Sequence, residues 1–474
     1  MSHSAAHVCG VVFPGAGHAA NFFNVASAIV SENLIVHALV MSKKKSLRWM
    51  ESTGQAVHSN IRLEVLAGGQ WEDWHEEEPK LMMQKILSPE FSAAVASTLA
   101  DVRAGLHHTH KLTAMIMNGL MTNILPVAKA NGLRSYLLFP SPYYMLRLST
   151  AANPSDGYES SYVFRGLGGQ DDEVVFNLGD APDVVNPMFR KLMAESVQST
   201  DGAICSGTNI GLEGSFYDQP HLPRELGSPK ATFFVGPLMP EWFLHAPVEQ
   251  DSPARSNRKV PLVAAECVQF LDEHPPQSVV YISLGSHADF SIPQAVLIIS
   301  LLRGLNVPYI LVKREDKQEL VNALGPYSTP GIITKWAPQL EILSHPSLRC
   351  FLSHAGFGSM LEGIVGGTPF ISCPVASDQF LDSKVMNHLG VSVGTIAVNK
   401  HISQMQRTTP YPILPDDAGK QIEALFRDLF ATTDGEAKLS EARRNVLKLR
   451  TRILRAKAEE GARELSSLKR VLMA

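Results

Sequence analysis

WAPQLEILSHPSLRCFLSHAGFGSMLEGIVGGTPFISCPVASDQ, residues 336–379, sets an indole, a glycine-rich turn and a carboxylate–amide pair in one continuous segment. The apolar run Gly331-Ile332-Ile333-Thr334 just before it predicts a strand, so Trp336 stands past a strand end and Pro338 opens a helix. A flat aromatic face in that place suits stacking on a base. Residues 349–353 predict a second strand, followed by His354-Ala355-Gly356-Phe357-Gly358-Ser359 and the helical pattern of 360–365. Such a succession aims unpaired backbone N–H groups and the positive end of a helix dipole at one point, an anion site. His354 and Ser359 flank it with side-chain donors, which favours a diphosphate. Glu362, one turn into the helix, offers a carboxylate to both hydroxyls of a ribose. The run 369–373 then delivers Asp378-Gln379, a carboxylate and an amide suited to neighbouring sugar hydroxyls. The segment reads as a nucleotide-sugar site. Taken singly, Trp336 is as readily a core residue and Asp378 a helix cap, but neither alternative explains why they occur together.

With 474 residues, 45% of them hydrophobic, the chain is long enough for two domains with separate cores. A net charge of −4 leaves no basic footprint for nucleic acid or anionic lipid, and the run Lys43-Lys44-Lys45 is expected as a solvated loop. The opening MSHSAAH lacks the charged-then-apolar order of a signal peptide, and no apolar stretch reaches membrane-spanning length. The expectation is therefore a soluble, cytoplasmic protein, with no nucleic-acid partner and no membrane segment. Cys9, Cys205, Cys267, Cys350 and Cys373 are scattered without a CxxC, as buried reduced thiols would be.

From the N-terminus, residues 8–13 predict a buried strand, Pro14-Gly15-Ala16-Gly17 a turn, a helix from His18 onward, and 34–40 the next strand. This order implies a parallel sheet and puts His18 at a carboxyl strand end, where open α/β sheets bind ligands. Further strands are expected at 61–66, 113–117, 136–139, 203–206 and 232–235. The chain turns polar and proline-containing between 246 and 261, which predicts a linker between an N-terminal domain of 1–245 and a C-terminal one of 262–455. Residues 278–286 begin the second α/β unit, which continues through 297–305, 309–312 and 391–396.

The segment resembles, without a gap, the signature box of the plant-type family 1 UDP-glycosyltransferases, at Trp336, Ala337, Pro338, Gln339, His345, Pro346, His354, Gly356, Ser359, Glu362, Pro369, Asp378 and Gln379. The likeness extends to Phe13-Pro14 with Gly17-His18, to 234–238, and to Phe270-Leu271-Asp272 with Ser283-Leu284-Gly285-Ser286. It implies the GT-B fold, two Rossmann-like domains facing across a cleft, with helix 456–474 packing back on the N-terminal domain. The implied donor site comprises Ser286, Trp336, Ala337, Gln339, His354, Gly356, Phe357, Gly358, Ser359, Glu362, Asp378 and Gln379. The implied reaction moves a sugar, glucose by the bias of Gln379, from a UDP-sugar to a hydroxyl of a small natural product, with inversion and His18 as general base. No metal or other cofactor is implied, because protein donors hold the diphosphate, and a monomer is expected. Gly17, Phe139, Ser141 and Tyr143 are expected on the acceptor side, with aromatic faces for a flat, flavonoid-like molecule; Trp71 and Trp74 serve there or as ordinary packing.

Some positions depart from the family pattern. Asn118 stands where the family has an aspartate that orients the histidine, so either another carboxylate serves, or the acceptor is acidic enough to need little help, or turnover is slow. Phe357 replaces a tryptophan, Gly358 an asparagine and Asp382 an asparagine, and the Phe-Gly-Ser variant is similar to a subgroup whose acceptors already carry a sugar. One rival is a non-catalytic nucleotide-sugar binder, motivated by Asn118. Another is an NADP-dependent oxidoreductase, since Gly15-Ala16-Gly17-His18-Ala19-Ala20 satisfies GxGxxA, but this leaves the whole box unexplained. His107-His108-Thr109-His110 has no standard metal spacing and reads as a polar helix end.

Overall fold

A computed structural model describes residues 5–52, 58–69, 71, 79–151, 161–165, 167–169, 173–177, 187–208, 212, 230–246, 262–285, 288–325, 330–399, 414–415 and 417–474. Ser286, Trp74 and residues 247–261 of the expected linker lie outside them. The chain forms two compact units. One is built from the chain up to Pro240 together with Arg455–Ala474, the other from Glu241–Ile402 and Arg407–Leu454.

In the first unit β1 (Ala6–Val11), β2 (Leu34–Val40), β3 (Ile61–Val65), β4 (Lys111–Asn118), β5 (Arg134–Phe139), β8 (Gly202–Cys205) and β9 (Thr232–Phe234) form one sheet in the order β3-β2-β1-β4-β5-β8-β9. Every pairing in it is parallel. Parallel strands need crossovers that cover both faces, which is why β1 and β2 are buried at every position. Val8, Val36, Ala38 and Ile116 pack with Phe22, Phe23 and Ile29 of the Ala16–Ile29 helix and with Leu468 and Leu472 of the Ala462–Met473 helix. Cys9, Val11, Leu39, Met115 and Met117 face the other way, onto Phe91, Val95 and Leu99 of the Pro89–Ala104 helix. The antiparallel hairpin of β6 (Ser161–Arg165) and β7 (Glu173–Asn177) was not expected from the periodicity.

Two local expectations are corrected. The first helix begins at Ala16 rather than at His18, because the Ala19 N–H already closes a turn on the Gly15 carbonyl at 2.8 Å. His18 thus lies in its first turn. Lys43-Lys44-Lys45 is no loop but the start of the Lys43–Ser52 helix, where Ser42 Oγ accepts the Lys45 N–H at 3.4 Å and caps the open end.

The second unit repeats the pattern. Its strands β10 (Val279–Ser283), β11 (Tyr309–Val312), β12 (Gly331–Thr334), β13 (Leu348–Ser353), β14 (Phe370–Ser372) and β15 (Ser392–Thr395) run β12-β11-β10-β13-β14-β15, all parallel. The Thr433–Ala456 helix buries Leu439, Ala442, Val446, Leu449 and Ile453, an apolar stripe at the spacing of one helix face. Two arginines on it bind backbone oxygens. Arg443 donates to the Gly367, Leu348 and Arg349 carbonyls at 2.9, 2.7 and 2.9 Å, and Arg450 to those of Val365, Leu244 and Ala246 at 2.7, 3.1 and 2.8 Å. Holding Leu244 and Ala246 this way ties the Glu241–Leu244 helix into the second unit, so the division falls before Glu241 rather than at 246. Burial pushes the Arg443 guanidinium down to about 10, still fully charged at neutral pH. The five cysteines are buried and unbridged, and among the described residues no helix is long and apolar enough to cross a membrane.

Replacing Arg443 by Met keeps the length of the side chain and removes every donor from these carbonyls. The expected loss is about 3 kcal/mol of unfolding free energy, read from denaturant curves followed by Trp fluorescence.

Candidate active site

In both units the strand order reverses at one place, between β1 and β4 in the first sheet and between β10 and β13 in the second. At such a point the loops leaving adjacent strands go to opposite faces and a crevice opens at the carboxyl ends. His18 and Asn118 lie at the first of these points, and Gly285 and His354 at the second.

In the second unit, β13 ends at Ser353, and Ser353 Oγ accepts the Ala355 N–H at 3.1 Å. Ala355 then takes a left-handed φ of 63° and Gly356 returns to extended backbone as the N-cap of the Phe357–Gly366 helix. Gly356 has no side chain to cap that helix, so its first N–H groups are left for another acceptor. Gly358 is exposed, with open space where a Cβ would stand. The His354 ring lies against two glycines: a Cβ at Gly285, which follows β10 with φ 73°, would come within 2.6 Å of it, and one at Gly356 within 2.7 Å. Only glycines permit that placement. Trp336, after β12, is 46% exposed, which is unusual for an indole, and Thr334 Oγ1 donates to its carbonyl at 2.8 Å.

Behind the helix N-terminus runs a buried polar relay. The Tyr281 hydroxyl donates to Gln339 Oε1 at 3.0 Å, and Gln339 Nε2 donates to Glu362 Oε2 at 2.5 Å and to Ser359 Oγ at 3.3 Å. Burial raises the phenol of Tyr281 far above its ordinary value, so it remains a donor, and this fixes which way the Gln339 amide points. Burial likewise raises Glu362 to about 7, although the Gln339 bond pulls it down. Glu362 is half-buried, and Gln339 engages its Oε2.

Several expected contacts take a different form. Gln339 has its amide engaged within the protein and orients Glu362. Phe357 is 2% exposed, so only its backbone N–H can meet an anion. Gln379 Oε1 accepts the Val375 and Ala376 N–H groups at 2.8 and 2.9 Å, closing the loop before Asp378 and leaving the Gln379 amide nitrogen as the donor. Asp378 and Ala337 are each 8% exposed. His345 is structural, with Nε2 on Asp272 Oδ1 at 3.1 Å and Nδ1 accepting the Ser347 N–H at 3.2 Å.

In the first unit the first turn of the helix after β1 carries Gly17, exposed with open space about it, and His18. Asn118 ends β4, the neighbour of β1, and its Nδ2 lies 2.9 Å from His18 Nδ1. Asn118 Oδ1 accepts the Leu120 N–H at 3.0 Å. The amide thus presents its nitrogen, not its oxygen, to the ring, because its oxygen faces Leu120. The His18 ring also lies against Phe13, with centroids 4.6 Å apart. Phe139 and Tyr143 are 5% and 2% exposed, and Tyr143 stacks edge-on against Phe234 at 5.2 Å, so neither ring offers a face; Ser141 is half-buried. Trp71 is core, donating to the Ala67 carbonyl at 3.1 Å and packed edge-on against Phe91.

Two contributors were missed in the sequence. Tyr281 lies within a wholly buried strand, and a buried phenol there calls for a partner; that signal was available. The Leu120 N–H is a backbone donor and has no signature.

A family model for UDP-glucoronosyl and UDP-glucosyl transferase matches residues 246–408. UDP-glycosyltransferase 74E1 of Arabidopsis thaliana is 24% identical over 404 residues, 80% of this chain and 83% of the relative. The anthocyanidin 3-O-glucoside 5-O-glucosyltransferase of Verbena hybrida is 25% identical over 398 residues, 81% of this chain and 83% of its own. The solved structure of a Polygonum tinctorium UDP-glucosyltransferase capable of glucosylating indoxyl superposes with a TM-score of 0.75 at 18% identity, covering 100% of both chains. The matched segment, the relatives spanning most of the chain and the shared architecture agree: this chain is similar to the plant UDP-glycosyltransferases and has the GT-B fold.

Proposed function

We propose that the chain moves a sugar, glucose in the first instance, from its UDP conjugate to an oxygen of a small aromatic or already glycosylated natural product, inverting the anomeric centre. It acts as a cytoplasmic monomer without metal or other cofactor. The observation that carries the donor half is the relay from Tyr281 through Gln339 to Glu362, beside an uncapped helix N-terminus and an exposed indole. Uracil stacks on Trp336, the ribose hydroxyls donate to Glu362, and the N–H groups of 357–359 with His354 meet the diphosphate. As the anomeric C–O bond breaks, negative charge grows on the diphosphate, and donors already oriented there stabilise it without reorganising. Asp378 and the Gln379 amide nitrogen take the sugar hydroxyls. His18 is the imidazole on the acceptor side and serves as the base for a hydroxyl that must lose its proton. The orientation of Asn118 also favours a second reading, a nucleotide-sugar binder that does not turn over. The two separate in a mass-spectrometric acceptor screen with UDP-glucose, UDP-galactose, UDP-xylose and UDP-rhamnose: a glycoside product supports transfer, and donor binding without any product supports the binder.

His18→Ala is expected to lower glycoside formation by about 10²-fold or more while UDP affinity, measured by calorimetry, stays within about twofold. Undiminished turnover would remove His18 from the reaction.

Donor binding should also depend on pH through Glu362. Its carboxyl is raised to about 7, and the ionised form is the one that accepts two ribose hydroxyls. Below that value a proton must be released on binding, so UDP-glucose affinity falls as pH falls, by up to about tenfold per unit, and levels off above it. Glu362→Gln should bind about tenfold or more weakly at pH 8 and lose the dependence, as titrations across pH 5.5–8 would read.

A further inference from the structure

We infer that this transferase takes acceptor oxygens that are already anionic, carboxylates and acidic phenols, because Asn118 holds His18 with its proton on Nε2. The inference rests on the transfer reading above, replaces the base role given there to His18 with that of a hydrogen-bond donor, and names the acceptor class of the same site.

The Leu120 N–H can only donate, so the atom it meets at 3.0 Å is the Asn118 carbonyl oxygen. That orients the amide, whose nitrogen then stands 2.9 Å from His18 Nδ1. An amide NH₂ is a donor, so Nδ1 must be the lone-pair nitrogen of the neutral ring, and the ring's single proton sits on Nε2. A carboxylate at 118 would do the opposite: it would accept from Nδ1–H and leave Nε2 basic. For His18 to remove a proton at Nε2 here, the ring must change tautomer. Nδ1–H would then face an NH₂ group at 2.9 Å, or the amide must turn over and place its NH₂ against the Leu120 N–H. Either way two donors confront each other in a site where Asn118 is 7% exposed. The asparagine for aspartate change in a serine protease is disabling for the same reason, a ring locked in the wrong tautomer.

A ring fixed in this way is a hydrogen-bond donor at Nε2, and what it can orient is an oxygen carrying negative charge. With such an acceptor the chemistry closes without a base. The anionic oxygen contributes the electron pair of the new bond to the anomeric carbon, the bond from that carbon to the diphosphate breaks, and UDP leaves with its electron pair. Asn118 acts as a positioning residue. Among the alternatives left open by its identity, this geometry favours the acidic acceptor, since Nδ1 is already held by the amide and is closed to an orienting carboxylate.

The test pairs a spectroscopic readout with a selectivity ratio. The full-length protein is labelled with ¹⁵N at histidine, and the His18 signals are assigned by their loss in His18→Gln. The unmodified chain is expected to show Nδ1 in the unprotonated range and Nε2 in the protonated range, and Asn118→Asp to exchange them. Glycoside formation from UDP-glucose is then compared at one neutral pH for a benzoate, a nitrophenol, a plain phenol and a benzyl alcohol. The unmodified chain should favour the two acidic acceptors, and Asn118→Asp should raise the plain phenol relative to the benzoate by about 10²-fold. A proton on Nδ1 in the unmodified chain, or equal use of phenol and benzoate by it, would overturn the inference. A preference that Asn118→Asp leaves unmoved would do so too. Absence of any glycoside from both proteins would instead remove the transfer reading, and this inference with it.

Discussion

Parallel strand pairing governs both units. A parallel neighbour can be reached only by a crossover, so helices cover both faces of the sheet and every strand ends in a loop on the same edge. Where the order turns back on itself, at β1/β4 and at β10/β13, two of these loops part and go to opposite faces. His18 and Asn118 come together at the first of these points although they are 100 residues apart in the chain. Gly285 and His354 come together at the second.

At the second point the local chemistry follows from what cannot be satisfied internally. A helix that starts on Gly356 has no side chain for its first N–H groups, and the open space at Gly358 lets a ligand reach them. The carboxylate of Glu362 tolerates burial because an amide, itself held by a phenol, donates to it. The relay orients a single acid, and burial raises that acid toward neutrality against the pull of the Gln339 bond. Gln379 shows the same economy of groups: its oxygen shapes the loop, and its nitrogen is the group proposed for the sugar.

At the first point a single backbone donor has a disproportionate effect. Oxygen and nitrogen of an asparagine amide are nearly isosteric, so nothing in the shape of the side chain decides which one faces an imidazole; the Leu120 N–H decides it. From that bond follow the orientation of the amide, the tautomer of the ring and the kind of oxygen that ring can attend. The architecture is shared with relatives of low identity such as the Polygonum tinctorium enzyme, so a difference of this kind lies in one hydrogen bond and not in the fold.

By itself the sequence determined the two α/β units, most of their strands, the donor segment with its glycine turn, and His18 at a strand end. These are legible because they depend on short-range patterns: continuous apolar runs for buried parallel strands, and glycine where backbone must approach an anion. Tertiary structure decided what depends on which groups meet across the sheet. It took Phe139, Tyr143 and Trp71 into the core, turned Gln339 from a ligand contact into a support for Glu362, and started a helix at Lys43 where a loop was expected. It also set the direction of the Asn118 amide. Hydrogen-bond direction is a property of a pair of groups, and the partner that fixed it here, a main-chain N–H, is the same in every residue except proline and so leaves no trace in the letters of the chain.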